Sequence, residues 1–196
     1  MSSPTHTSLS LASIRTLEQD RFADRLGSLV EHSPWVARRA WSRGPFATRQ
    51  ALFDALAAEI RGAGDEEQLA LLRVHPELAG QEARAGSMTT DSQSEQGRLG
   101  LLRLDAPTVR RIEDLNRRYR ERFGFPFIAA LRLHASLDSV LTDVEQRLTH
   151  DDVTERRTAL EQVCEVMRGR LERTVTDDPT PHPSPDTPPT LAGSPS

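Results

Sequence analysis

Apolar residues recur every three or four positions through most of this chain, and a chain patterned that way can bury them only along helix faces. Leu52, Leu56 and Ile60 form one such stripe, and Ile112, Leu115 and Tyr119 another. Leu101 with Leu104, then Val140, Val144 and Leu148, then Leu160, Val163, Met167 and Leu171, continue the series. The alternating, β-branched pattern of a strand is missing; only Phe125 to Leu131 resembles a buried one. The sequence therefore predicts an all-α domain of about nine helices. They fall near residues 9–30, 34–42, 46–61, 66–74, 92–103, 108–122, 127–132 (short), 137–148 and 152–173. No repeat of 20 to 50 residues shows, which argues against a solenoid.

The 196 residues suit one domain, read as residues 9–174. Seven of the 13 prolines lie among Asp, Ser and Thr after residue 175, a composition too poor in apolar surface to offset its ordering entropy. Residues 1–8 and 175–196 are therefore expected to be disordered. No basic residue precedes the short apolar run of MSSPTHTSLSLASI, and no apolar run is long enough to span a bilayer. A soluble, cytoplasmic protein with no membrane partner is expected.

All 25 positive charges are arginine, for the chain has no lysine. That excludes Schiff-base chemistry, pyridoxal phosphate attachment and a lysine phosphate loop. A formal charge of −4 argues against nucleic acid as a partner. One cysteine, Cys164, allows no intrachain disulfide and no multi-cysteine zinc site; beside Val163 and Met167 it reads as a small core hydrophobe. No HExxH, histidine pair at i and i+4, or calcium-loop spacing appears, so no metal site is expected.

Three segments carry chemistry. His75 follows the apolar run LALLRV and precedes Pro76, at the mouth of a long polar connection between Val74 and Ser92. A helix C-terminus there favours the charged imidazolium, although a His-Pro pair is also a plain helix stop. Ser92 and Glu95 have capping-box spacing; alternatively Glu95 or Gln96 faces a cleft at a helix N-terminus. Phe123, Phe125 and Phe127 surround Gly124 and Pro126, which reads as a core corner or as the wall of an apolar pocket. The arginines at 117, 118, 120 and 122 are spread around their helix, as on a solvated face.

Together the segments resemble one family. His75-Pro76-Glu77-Leu78-Ala79-Gly80, Ser92-Gln93-Ser94-Glu95-Gln96, and Leu115-Asn116 with Tyr119 and Arg122-Phe123-Gly124-Phe125-Pro126-Phe127-Ile128 look like the signature blocks of OHCU decarboxylase, with Glu31-His32-Ser33-Pro34-Trp35 upstream. The resemblance spans about residues 11–172 and implies a helical decarboxylase, without cofactor, acting on 2-oxo-4-hydroxy-4-carboxy-5-ureidoimidazoline in the urate to (S)-allantoin pathway. It implies that His75 is the catalytic proton donor, with Glu95 holding its tautomer or gripping the substrate. Pro76, Ser92, Gln93, Ser94, Glu95 and Gln96 then contact substrate, as do Ile128, Ala129, Ala130, Leu131 and Arg132, mainly by backbone. A homodimer is implied as well. The substrate's own imine is the electron sink, so no metal, lysine or thiamine is required. The rival reading from residues alone is a non-catalytic helical module that binds a protein.

Overall fold

The computed structural model describes residues 9–80, 89–101 and 104–178. The protein is all-α, with nine α-helices among the described residues: α1 Leu11–Arg15, α2 Gln19–Leu26, α3 Pro34–Ala40, α4 Arg49–Gly62, α5 Asp65–Arg73, α6 Thr90–Arg98, α7 Ala106–Phe123, α8 Leu137–Arg147 and α9 Asp152–Thr174. Side-chain caps start several of them. Thr48, Asp105, Ser136 and Asp151 accept from the backbone N–H three residues on, opening α4, α7, α8 and α9. Gly124, at φ 75°, ends α7 in the left-handed conformation that glycine adopts at least cost.

The 23-residue α9 is the spine of the fold. Ala159, Val163, Cys164, Met167 and Leu171 are buried along it, and it packs against α4, α5 and α7. Val163, Met167 and Leu171 each contribute roughly 1.5–3 kcal/mol by leaving water, and the smaller Ala159 and Cys164 less. Cys164 is part of this core, and burial pushes its thiol up to about 12, so it stays protonated. The second layer is α2, α3 and α4, which pack in sequence order.

Three expectations are corrected. The single helix over 9–30 is a two-residue strand, β1 Leu9–Ser10, then α1, α2 and a 3₁₀ turn at Gly27–Leu29. Thr16 caps the end of α1 and Glu18 precedes α2, so a break falls where no glycine or proline marks it. The short helix at 127–132 is irregular chain leading into a 3₁₀ turn at Leu131–Leu133, since Pro126 and the aromatic corner fix the backbone there. Order continues past 174. Val175–Thr176 forms β2, parallel to β1, with Val175 fully buried. Asp178 accepts from Ala12 N–H and Arg15, and Asp177 from Arg49 N–H. An apolar valine and two aspartates with donors to meet therefore outweigh the composition that begins there. The expectation of disorder for 1–8 and 179–196 lies outside the described residues. No described helix is long and apolar enough to cross a membrane.

Candidate active site

The loop after α5 is built to hold His75 still. Pro76 ends the helical run, Ala79 takes φ 47°, and a side chain at Gly80 would collide with Glu77 Cβ at 2.7 Å. Gln96 of α6 clamps the loop from one side: its Oε1 accepts from Ala79 N–H at 2.9 Å and its Nε2 donates to Glu77 O at 3.1 Å. From the other side Asn116 of α7 donates to Leu78 O at 2.8 Å, and Arg120 pairs with Glu77 at 2.8 Å.

His75 Nδ1 lies 2.8 Å from Leu71 O. A carbonyl only accepts, so Nδ1 carries the proton and the neutral ring keeps its lone pair on Nε2. Nε2 has no protein partner among the described residues. No buried side-chain nitrogen or oxygen there is left unsatisfied, which leaves Nε2 facing open space. His75 is otherwise buried, and burial pulls its pKa down to about 4, against the Leu71 bond and the charge of Glu31. The helix terminus favours the charged form, but burial is the larger influence here and leaves the imidazole neutral, its pKa below the physiological range in which it could have titrated either way.

A small cavity of about 50 Å³ adjoins it, lined by His75, Pro76, Leu78, Ser92, Gln96, Phe127, Ile128, Ala129, Leu131 and Val166. Seven of the twelve residues expected in the site meet there, with Phe127 of the aromatic corner as a further wall. Gln93, Ser94, Glu95, Ala130 and Arg132 are not among its walls. Ser94 is exposed. Arg132 crosses Gly169 of α9 and spends its guanidinium on Glu165, so its side chain is not offered to the cavity. Ala130 N–H is taken by Gln162 at 2.9 Å. His75 also borders an open, charged cavity of about 790 Å³ with His32, Arg73, Glu113, Asn116 and Arg117.

Ser92 and Glu95 do not form the capping box. Thr89 is the N-cap of α6, and Ser92, three residues on, is already helical with its hydroxyl buried. That hydroxyl donates to Glu31 at 3.1 Å and receives Arg170 Nη2 at 3.2 Å. Arg170 of α9 is the centre of the cluster. It grips Glu95 with two hydrogen bonds of 3.1 and 3.0 Å and Glu31 with one of 2.8 Å. Burial raises the Glu31 carboxyl, but Arg170's charge with hydrogen bonds from Thr89 and Arg170 outweighs it and holds the pKa below the ordinary value. Glu95 also receives Arg173 at 3.1 Å. Leu71 O, rather than Glu95, therefore fixes the His75 tautomer.

Sequence reasoning missed Glu31, Arg170 and Asn116 as site residues. The available signal was Arg170, a charge three residues beyond Met167 on the buried side of α9. Among the described residues no cluster of histidine, cysteine and carboxylates could hold a metal ion.

The OHCU decarboxylase family model matches residues 15–172. A 2-oxo-4-hydroxy-4-carboxy-5-ureidoimidazoline decarboxylase of Halalkalicoccus jeotgali is 38% identical over 166 residues, covering 85% of this chain and 92% of the relative. One of the same name from Haloferax volcanii is 39% identical, covering 83% and 94%. A solved (S)-allantoin synthase superposes with a TM-score of 0.65 at 27% identity, covering 85% of this chain; the chain spans about half, 54%, of that larger one. Relatives this similar across nearly their full length, and signature blocks that fold around one cavity, place the chain in the OHCU decarboxylase family.

Proposed function

We propose that this carboxy-lyase converts 2-oxo-4-hydroxy-4-carboxy-5-ureidoimidazoline to (S)-allantoin and carbon dioxide in urate degradation, with His75 carrying the proton. The observation behind this reading is the bare Nε2 of a neutral, buried His75 beside the cavity. When the bond from ring carbon 4 to the carboxylate breaks, its electron pair forms a double bond between carbons 4 and 5, and the π pair of the adjacent carbon–nitrogen double bond moves onto the ring nitrogen. Carbon 4, carrying the hydroxyl, is then an enol. Nε2 takes the hydroxyl proton, carbon 4 becomes a carbonyl, and the imidazolium delivers that proton to carbon 5, while water protonates the ring nitrogen. A resting pKa of about 4 keeps the imidazole neutral and ready to accept; the anionic substrate ring formed alongside raises it, which favours the first transfer, and the imidazolium loses the proton again as carbon 5 takes it. Delivery from one fixed imidazole gives one enantiomer. Ser92 and Gln96 bound the substrate laterally, and Glu95 serves by holding Arg170.

The test is optical activity during turnover of freshly oxidised urate. With protein, allantoin should appear faster and as the (S) enantiomer alone; a rate and a racemate equal to buffer, or the (R) enantiomer, would end the proposal. The single buried Cys164 suits a reducing cytoplasm, where we place the enzyme as a homodimer. Light scattering on the purified chain checks the dimer.

The pKa predicts the pH profile. Because burial lowers His75 from 6.5 to about 4, the neutral base persists well into acid, and kcat/KM of the free enzyme should stay level from pH 8 to 5.5. It then falls as pH approaches about 4. The unfolded chain takes up the His75 proton from pH 6.5 downward while the fold refuses it until about 4, so stability drops as pH falls through that window, by roughly 3 kcal/mol from this residue. An acid limb centred near 6.5 would contradict the assignment.

A further inference from the structure

Arg147, the last residue of α8, is buried with 3% of its side chain exposed, yet it does not line the cavity. Glu155 of α9, fully buried, accepts from its Nε at 2.9 Å, and the Tyr119 hydroxyl on α7 receives its Nη2 at 3.2 Å. Tyr119 also donates to Glu155, and His150 Nδ1 lies 2.8 Å from the second carboxylate oxygen. The guanidinium lies over the Phe127 ring at 4.6 Å, with Asp143 3.6 Å away. Such a cluster carries a desolvation cost that an apolar group of the same shape avoids, so its stability alone does not explain it. One further bond does: Arg147 Nη1 donates to Ile128 O at 2.8 Å.

The 128–129 peptide is trans, which sets its carbonyl and N–H in opposite directions. With Ile128 O turned to Arg147, Ala129 N–H points the other way. Ile128 and Ala129 both line the cavity, and Ala129 N–H has no acceptor among the described residues. We propose that Arg147, locked by Glu155, is a positioning residue for the decarboxylation: it fixes the Ile128 carbonyl so that Ala129 N–H meets a substrate oxygen on which negative charge gathers as carbon dioxide leaves. A donor aimed where charge develops acts without reorganising in the transition state. This rests on the cavity being the reaction site, as proposed above.

Two measurements test it. In ¹⁵N-labelled wild-type protein, titration with allantoin should move the Ala129 amide proton downfield; an Ala129 resonance that stays put while His75 and Ser92 respond overturns the proposal. Arg147→Lys keeps the charge but loses the fork that reaches Glu155 and Ile128 together. Its kcat should fall about 10² to 10³-fold, as for loss of one oxyanion donor, with KM changed less than threefold. Full kcat in the folded variant overturns the positioning role. If Arg147→Lys does not fold, the amide titration decides alone. His75→Ala separates the two readings: an active His75→Ala sinks the site itself, whereas an active Arg147→Lys beside an inactive His75→Ala sinks only the role of Arg147.

Discussion

Replacing His75 with alanine is expected to lower turnover by about 10² to 10⁴-fold while leaving the protein folded. The imidazole contributes to the fold one 2.8 Å bond to Leu71 O, worth about 1 kcal/mol, and a modest volume beside Pro76. Rate and stability therefore separate. His75→Gln sharpens the separation, because a side-chain amide can still donate to Leu71 O but cannot carry a proton at neutral pH. Its melting temperature should return toward wild type and its turnover should not. The stereochemistry gives a second reading of the same variants: without a fixed donor, residual product protonates from either face and drifts toward the racemate. Fast turnover to a single enantiomer by either variant would remove His75 from the chemistry.

How much of this was legible in the sequence depends on the range of the interaction. The helices α4, α7, α8 and α9 were legible because period and caps lie within the same few residues, as with Asp151 accepting from Thr154 N–H. The break between α1 and α2 was not, because no residue with special backbone freedom marks it. Ser92 and Glu95 have the spacing of a cap, yet Thr89 supplies the cap and leaves Ser92 free to face Glu31. The cavity walls at His75, Ser92 and Ile128 came from the family resemblance, since no local pattern brings three distant segments together. Charges on a helix read as solvated by default, and that default holds for Arg117 and Arg118. It fails for Arg170, whose partner Glu31 is 139 positions away, and for Arg147, whose partner Glu155 is eight positions on but across the turn between α8 and α9, where helix periodicity does not reach.

Arg170→Met is the substitution with the largest expected effect on stability. Wild-type Arg170 neutralises Glu31, which is 3% exposed, and Glu95, and it donates to the Ser92 hydroxyl and to Ser28 O. Methionine fills the space but leaves a buried carboxylate with only the Thr89 and Ser92 hydroxyls, a loss of about 3 to 5 kcal/mol. Activity should fall too, because Ser92 at the cavity wall loses the partner that orients it. The pH dependence identifies the cause. In the wild type, Arg170 keeps Glu31 below its ordinary pKa, so this carboxylate adds stability above about pH 4.5 that is lost on acidification. Without Arg170, burial dominates and raises the Glu31 pKa above the unfolded value, and the sign reverses: the variant's deficit relative to wild type is largest at pH 8 and shrinks as pH falls toward 5. Adding Glu31→Gln to Arg170→Met should recover part of the loss, since the amide buries no charge, so the two changes are strongly non-additive. Urea melts of the four proteins at pH 8, 6.5 and 5 measure both effects. A deficit under about 1 kcal/mol that does not vary with pH would mean that water reaches Glu31 and that Arg170 is an ordinary surface partner rather than the charge on which the cluster behind His75 is built.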